Sequence, residues 1–206
     1  MRVALTFDTE FPDRPSPTGV EDRILSALAA AGLRATFFLQ GRWARAYPEV
    51  ARRIAEPGHV IGNHSHHHAP MDGLLDDFFR SDVVDAQEKI RAATGVDPRP
   101  LFRCPFGSGM DDYRVLGLLD ELGYRHVGWD VDPRDWEEGR EPTELLSRVL
   151  AGVRKRDEAI VLLHGWPGVT GEALPGMLDA LAAAGAEFVT VEELDPSRRS
   201  ARRNIR

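Results

Sequence analysis

Four of the seven histidines in this 206-residue chain fall within five positions, inside the stretch "HVIGNHSHHHAP" at residues 59–70. His64 and His68 stand four apart, a spacing that on a helical turn puts both imidazoles on one face, where they can share one cation. A histidine pair alone is a weak signal, because a catalytic divalent centre generally adds a third protein ligand and keeps one position open. The stretch "LTFDTE" offers two carboxylates for that place, Asp8 and Glu10. In an extended chain these two side chains share a face, and Thr9 between them points the other way. His66 and His67 then point away from the pair, and His59 reads as a structural residue at a strand start.

Three further stretches carry ionisable residues at the ends of apolar runs. His164 closes "IVLLH", and an imidazole there suits proton donation near neutral pH. Arg103 follows "PLF" and leads into "CPFGSG"; so placed, it must be partly buried and therefore paired, with a carboxylate nearby as its natural partner. Asp130, Asp132 and Asp135 lie in "WDVDPRDW", where turn formation competes with a functional reading.

Elements able to position these groups alternate along the chain. Strands are expected at Val3–Phe7, Ala35–Leu39, His59–Ile61, Pro100–Arg103, His126–Trp129, Ala159–Leu163 and Phe188–Val191. Helical periodicity runs through "GVEDRILSALAAAGL", "DVVDAQEKIRAATG", "YRVLGLLDELGY", "PTELLSRVLAGV" and "EALPGMLDALAAAG", with a shorter basic helix in "RAYPEVARRIAEPG". Such alternation predicts a mostly parallel α/β sheet in one domain, and periodicity does not say whether it closes. The unusual polar residues follow the C-terminal ends of five of these strands. That edge is where parallel β/α folds build active sites, so the pattern points to an enzyme.

A net charge of −7 argues against nucleic-acid binding. The one basic cluster is Arg198, Arg199, Arg202, Arg203 and Arg206, expected to be a flexible, solvated tail. A single cysteine, Cys104, excludes an internal disulfide and suits a reducing compartment. No apolar stretch approaches the ~18 residues of a membrane span. "MRVALTFD" has no signal-peptide architecture, so the sequence as written is expected to be cytoplasmic.

In their order, these stretches resemble the motifs of the polysaccharide deacetylase family, also called the NodB homology domain or carbohydrate esterase family 4. "LTFDTE" is similar to its Thr-Phe-Asp-Asp motif and "HSHHH" to His-Ser/Thr-x-x-His. "RCPFG" resembles Arg-x-Pro-Tyr/Phe-Gly, "DPRDW" resembles Asp-x-x-Asp-Trp, and "LLH" resembles Leu-x-His. The likeness runs from Leu5 to about Leu194, and five motifs in register are a specific signal. It implies a distorted (β/α) barrel of about seven parallel strands over residues 1–195, with the basic tail at 196–206. It also implies hydrolysis of an N-acetyl group on an amino sugar with one divalent metal, zinc first, then cobalt, nickel or manganese. Carried over, Asp8 is the base acting on water, held ionised by Arg103; His64 and His68 are metal ligands. His164 is the acid, tuned by Asp135; the Phe106 N–H stabilises the oxyanion and Trp136 walls the acetyl pocket. Cys104, where many members have proline, is expected to be a packed residue, and Trp43 and Trp166 could line a cleft or fill the core. One departure bears on function. The family's second aspartate, a metal ligand, is replaced by Thr9, and Glu10 is the nearest substitute. Glu10 as third ligand with Asp8 as base, or the two exchanged, both fit. Other amides (a formamide or cyclic ureide) and a non-catalytic sugar- or metal-binding domain are the alternative functions.

Overall fold

The run Arg2–Thr9 forms β1, and every residue after Arg2 is buried. A strand this apolar needs cover on both faces, which a parallel sheet wrapped by helices supplies. In the computed structural model, which describes residues 1–13 and 19–194, β1 is joined by β2 (Thr36–Leu39), β3 (Val60–Asn63), β4 (Leu101–Phe102), β5 (Arg125–His126), β6 (Glu158–His164) and β7 (Glu187–Val189). All pairings are parallel, in the order β5-β4-β3-β2-β1-β6, with β7 on the N-terminal part of β1. After β5 the chain reaches Val131, which pairs with Val161 of β6, and Asp130 Oδ2 accepts the Ile160 N–H at 2.9 Å. The sheet thereby curls back on itself as the expected (β/α) barrel. The basic tail lies outside the described residues.

Helices α1 (Val20–Ala30), α2 (Gly41–Ala46), α3 (Pro48–Ala55), α4 (Asp76–Thr94), α5 (Tyr113–Glu121), α6 (Pro142–Val153) and α7 (Gly168–Ala183) surround the sheet. None of the described helices is long and apolar enough to cross a membrane. The strand period of two sorts side chains between helix layer and barrel interior. Val3, Leu5 and Phe7 of β1 join Phe37 and Leu39 of β2 and Val161 and Leu163 of β6 in the core under the helices. Their alternates Ala4, Phe38 and Ile160 form a separate inner cluster with Leu101, Val127 and Val189. Thr6, Asp8, Leu162 and His164 follow that inner phase, so alternation alone sends the chemistry into the barrel mouth.

Several boundaries differ from expectation for local reasons. Helix α4 starts at Asp76 because its buried stripe begins at Phe79, one turn before Val83. Helix α7 starts at Gly168 and carries Pro175 within it. Strand β7 stops at Val189, and the Val191 N–H goes to Thr36 Oγ1 at 3.3 Å. Strand β5 is only two residues long. Beyond it the carbonyls of Val127 and Gly128 accept from Arg103 Nε and Nη2, each at 3.1 Å, rather than continuing the ladder. Trp43 is core, 4% exposed.

Gly62 in β3 is required by packing. A Cβ there would stand 2.5 Å from Cδ1 of the Phe38 ring and 3.2 Å from the Leu101 carbonyl oxygen. Overpacking of this kind costs about 1–3 kcal/mol. Gly62→Ala should therefore lower the melting temperature, by roughly 2–4 °C per kcal/mol for a chain of this size. An unchanged melting temperature would show that Phe38 can yield without cost.

Candidate active site

Asp8 and His164 are register partners across β1 and β6, so their side chains leave the barrel rim at the same level. Arg103, just past β4, is fully buried. Its Nη1 donates to Asp8 Oδ1 and to Thr6 Oγ1, each at 2.8 Å, in addition to the two carbonyl bonds already described. The guanidinium lies 4.1 Å from the centre of the Phe38 ring. The expected pairing of Arg103 with a carboxylate is thus met by Asp8, and the bonds occupy one oxygen of that carboxylate.

The histidine segment corrects one expectation. Residues 64–68 form a loop after β3, not a helical turn. His64 and His68 nevertheless meet, with their Nε2 atoms 3.1 Å apart. The loop achieves this with left-handed backbone at Ser65 (φ 63°) and His68 (φ 57°). Asn63 Oδ1 accepts the Ser65 N–H and Ser65 Oγ accepts the His68 N–H, each at 2.9 Å, which holds this conformation. His64 Nδ1 lies 2.9 Å from the Arg103 carbonyl, which can only accept, so Nδ1 carries a hydrogen and, in the neutral ring, Nε2 keeps its lone pair. His66 is buried and His67 half exposed; the backbone N–H of each, and the His67 ring, bond to Asp82 of α4. His59 Nδ1 accepts the Ala35 N–H at 3.1 Å, a structural role as expected.

Glu10 reaches this pair from the residue after β1. Its Oε2 stands 2.5 Å from His68 Nε2 and 3.4 Å from His64 Nε2, while Oε1 accepts from Trp166 Nε1 at 3.3 Å. Asp8 Oδ2 is 3.6 Å from His64 Nε2. Burial by itself would raise the Glu10 pKa, but the hydrogen bonds of His64 and His68 hold it well below the usual carboxylate range. His64 is pushed up against its burial by Asp8 and Glu10, whereas burial and the neighbouring His64 push His68 down. An ionised carboxylate and two imidazoles competing for a proton are groups that a divalent cation satisfies together. The donor atoms of Glu10, His64 and His68 all lie within 4.8 Å of one another. Ligands about 2.0–2.1 Å from a tetrahedral ion sit ~3.3 Å apart, close to the His64–His68 and His64–Glu10 separations, while His68 and Glu10 are nearer to one another. The residues therefore fit a metal.

On the far side of Asp8, His164 is fixed by Asp135, which is 1% exposed. His164 Nδ1 donates to Asp135 Oδ1 and its backbone N–H to Oδ2, both at 2.7 Å, and Thr170 Oγ1 adds a bond to Oδ2 at 2.6 Å. Burial disfavours the imidazolium, but the charge and hydrogen bond of Asp135, with Glu10 and Asp8, raise the His164 pKa to about 9.

Asp8, Glu10, His64, His68, Phe106, Trp136 and His164 line one cavity of about 330 Å³, with Cys104, Trp129 and Trp166 among the other walls. Its volume lies within the usual range for a small ligand. A groove of about 560 Å³ between α1 and α7 is larger, but Asp22, Arg23 and Pro175 line it and none of the candidate residues does. Phe106 (φ 56°) and Phe11 set ring edges against His68 at 4.5 and 4.6 Å. Trp136 is 42% exposed at the rim, and Arg134 lies over its ring. Arg103 and Asp135 stand behind Asp8 and His164. Cys104 is buried, and its thiol is pushed up to about 12 by burial. Asp132 is exposed and accepts the Arg134 N–H at 2.8 Å, as a turn residue does, and it also lines the cavity. Thr6, Thr170, Asn63 and Asp82 escaped the sequence reading. Thr6 was findable, two residues before Asp8 on the same strand face; Thr170 had no such signal.

The profile of the family described as polysaccharide deacetylase matches residues 1–127. A peptidoglycan-N-acetylglucosamine deacetylase of Bacillus cereus is 32% identical over 196 residues, 93% of this chain and 67% of the relative. The peptidoglycan-N-acetylglucosamine deacetylase of Listeria monocytogenes is 32% identical over 193 residues, yet the chain spans only 38% of that protein. Among solved structures, a carbohydrate esterase family 4 pseudoenzyme from Bacillus anthracis superposes with a TM-score of 0.84 at 32% identity, covering 94% of this chain and 64% of that one. A mutant of that pseudoenzyme with restored enzymatic activity superposes equally well, at 0.84. Profile, relatives and fold agree, and the chain belongs to the polysaccharide deacetylase family.

Proposed function

We propose that the chain is a metal-dependent hydrolase that removes the N-acetyl group from an amino sugar, releasing acetate and a free amine. The observation that carries this reading is the pairing at the barrel mouth. A carboxylate clamped by a buried arginine and an imidazole clamped by a buried carboxylate open, side by side, into the cavity that holds Glu10, His64 and His68. An amide resists hydrolysis because water is a poor nucleophile and an amine a poor leaving group; Glu10, His64 and His68 would hold a divalent ion, zinc by preference, which would supply Lewis-acid activation.

The protein's own groups divide the proton work. Arg103 fixes Asp8 through Oδ1, leaving Oδ2 to take a proton from the attacking water. Asp135 holds the His164 ring through Nδ1 and favours its imidazolium, whose Nε2–H is the proton that the leaving nitrogen needs. Burial of Asp8, Glu10, His64 and His68 excludes competing water, which strengthens each of these charges. The aromatic walls at Trp129, Trp136 and Trp166 suit the apolar faces of a sugar and an acetyl methyl. The Phe106 N–H is the oxyanion donor in this reading. The likeness to a pseudoenzyme, together with Thr9 in place of the second aspartate, favours a non-catalytic domain as the second reading. An acetate-release screen over N-acetylated sugars, with zinc, cobalt, nickel and manganese, decides between the two. No acetate with any pairing would remove the N-deacetylase reading.

Separate measurements resolve the two carboxylates. Glu10→Ala should lose stoichiometric metal, whereas Asp8→Asn should keep metal and lose turnover; the reverse pattern exchanges their roles. His164→Ala should keep its metal and fold while kcat falls ~10²–10⁴-fold, the usual cost of losing a proton donor. Since the folded pKa of His164 is raised from 6.5 to about 9, the imidazolium is present at neutral pH. The stability it contributes is complete below pH 6.5 and is lost as pH rises through about 9. Asp135→Asn should move the NMR titration of His164 in the metal-free protein downward. A midpoint still near 9 would assign the shift to Glu10 and Asp8 instead.

A further inference from the structure

Neither His66 nor His67 belongs to the catalytic set, yet both are tied to one group. Asp82, on the buried face of α4, is 1% exposed. Its Oδ2 accepts the His66 N–H at 2.9 Å, and its Oδ1 accepts the His67 N–H at 3.0 Å and the His67 Nδ1–H at 2.7 Å. A buried carboxylate is tolerated only where donors replace its lost water, and here the donors come from two successive residues of the loop between His64 and His68.

The loop needs such a tie. Ser65 and His68 both occupy left-handed backbone that non-glycine residues avoid, and such strain persists only where surroundings over-determine it. Asn63 and Ser65 anchor the loop from within, each bond spanning two or three residues. Asp82 anchors the loop from outside by joining it to a 19-residue helix, alongside the bond from the Gly41 N–H to the Ser65 carbonyl at 2.9 Å. Asn63 Nδ2 adds a second tie to the same helix, donating to the Val83 carbonyl at 3.0 Å. His67 contributes its ring as a donor to Asp82 and stacks on Phe78 at 5.8 Å, which explains why a half-exposed histidine stands in this position.

We propose that Asp82 is a positioning residue for metal binding: by holding the amides of His66 and His67 it fixes the approach of His64 and His68 before any ion arrives. This rests on the reading of Glu10, His64 and His68 as the ligand set. Preorganisation by groups behind the ligands typically sets metal affinity by ~10–100-fold. The loss on removing Asp82 should fall in that range and appear in the binding constant.

The test uses the full chain freed of metal by chelation, with zinc affinity measured by competition against a chromogenic chelator. Amide hydrogen exchange of residues 64–68 is followed in the same metal-free samples. Wild type, His67→Ala, Asp82→Asn and Asp82→Ala should weaken zinc binding in that order, and exchange at His66 and His67 should accelerate in the same order. Should Asp82→Ala fail to fold, His67→Ala removes one of the three bonds without altering the helix and preserves the comparison. Asp82→Ala, or His67→Ala with Asp82→Asn, binding zinc as wild type would overturn the proposal. So would weakened zinc binding with wild-type amide exchange, which would assign the effect to charge alone. A wild-type protein that takes up no zinc would instead remove the ligand reading on which the proposal stands.

Discussion

Everything at the barrel mouth depends on burying a guanidinium. Arg103 is fully buried, where an unpaired charge would be prohibitive, and its donors are met by Asp8, Thr6 and the carbonyls of Val127 and Gly128. Each bond has a structural consequence. Taking two carbonyls from the chain after β5 ends that strand early and turns it toward β6, where Val131 closes the sheet. Pairing with Asp8 fixes a carboxylate at the cavity, and the Arg103 carbonyl sets the tautomer of His64. Stacking on Phe38 requires the glycine at position 62. Replacement by an apolar residue would leave Asp8 buried without its countercharge, so fold and chemistry are coupled at this one side chain.

The strand period explains how residues distant in sequence reach one place. Thr6 and Asp8 on β1, Leu162 and His164 on β6, and Leu101 of β4 with Arg103 just past it are pairs two apart, all in the inner phase of the barrel. A shift of one residue in any strand would exchange its inner and outer faces. The cores under the helices, built on Phe7, Phe37, Leu163 and their neighbours, hold that register. The apolar packing outside therefore determines which polar groups meet inside.

Much of this was legible in the residues. The strands, the edge on which polar groups gather, the pairing of Arg103 and the meeting of His64 with His68 follow from pattern and burial. The route by which the histidines meet was not legible. Spacing four apart suggested a helical turn, whereas side-chain hydrogen bonds from Asn63 and Ser65 stabilise a loop with two left-handed residues, which periodicity does not register. Asp82 was hidden for a related reason. It falls next to Val83 in an amphipathic pattern, and a polar residue at such a position reads as solvated until the loop packed on it is known. Thr170 lies in a helix whose alanine- and leucine-rich sequence shows little polarity from which to pick out a single hydroxyl.

The Asp-Thr-Glu sequence is the remaining peculiarity, and the end of β1 accounts for it. The β1 ladder stops at Thr9, whose side chain is buried away from the cavity with its methyl against Gly165, and a Cβ on that glycine would stand 3.2 Å from Thr9 Cγ2. A carboxylate pointing the same way as Thr9 would be buried without the histidines to offset its charge. Glu10, one residue later, returns to the phase of Asp8, and its longer side chain crosses the extra distance to His64 and His68. Trp166 occupies its second oxygen, so a single oxygen is presented to the imidazoles. In this chain the shift of the second carboxylate by one residue conserves the electrostatics of the cluster, and strand alternation makes that shift possible.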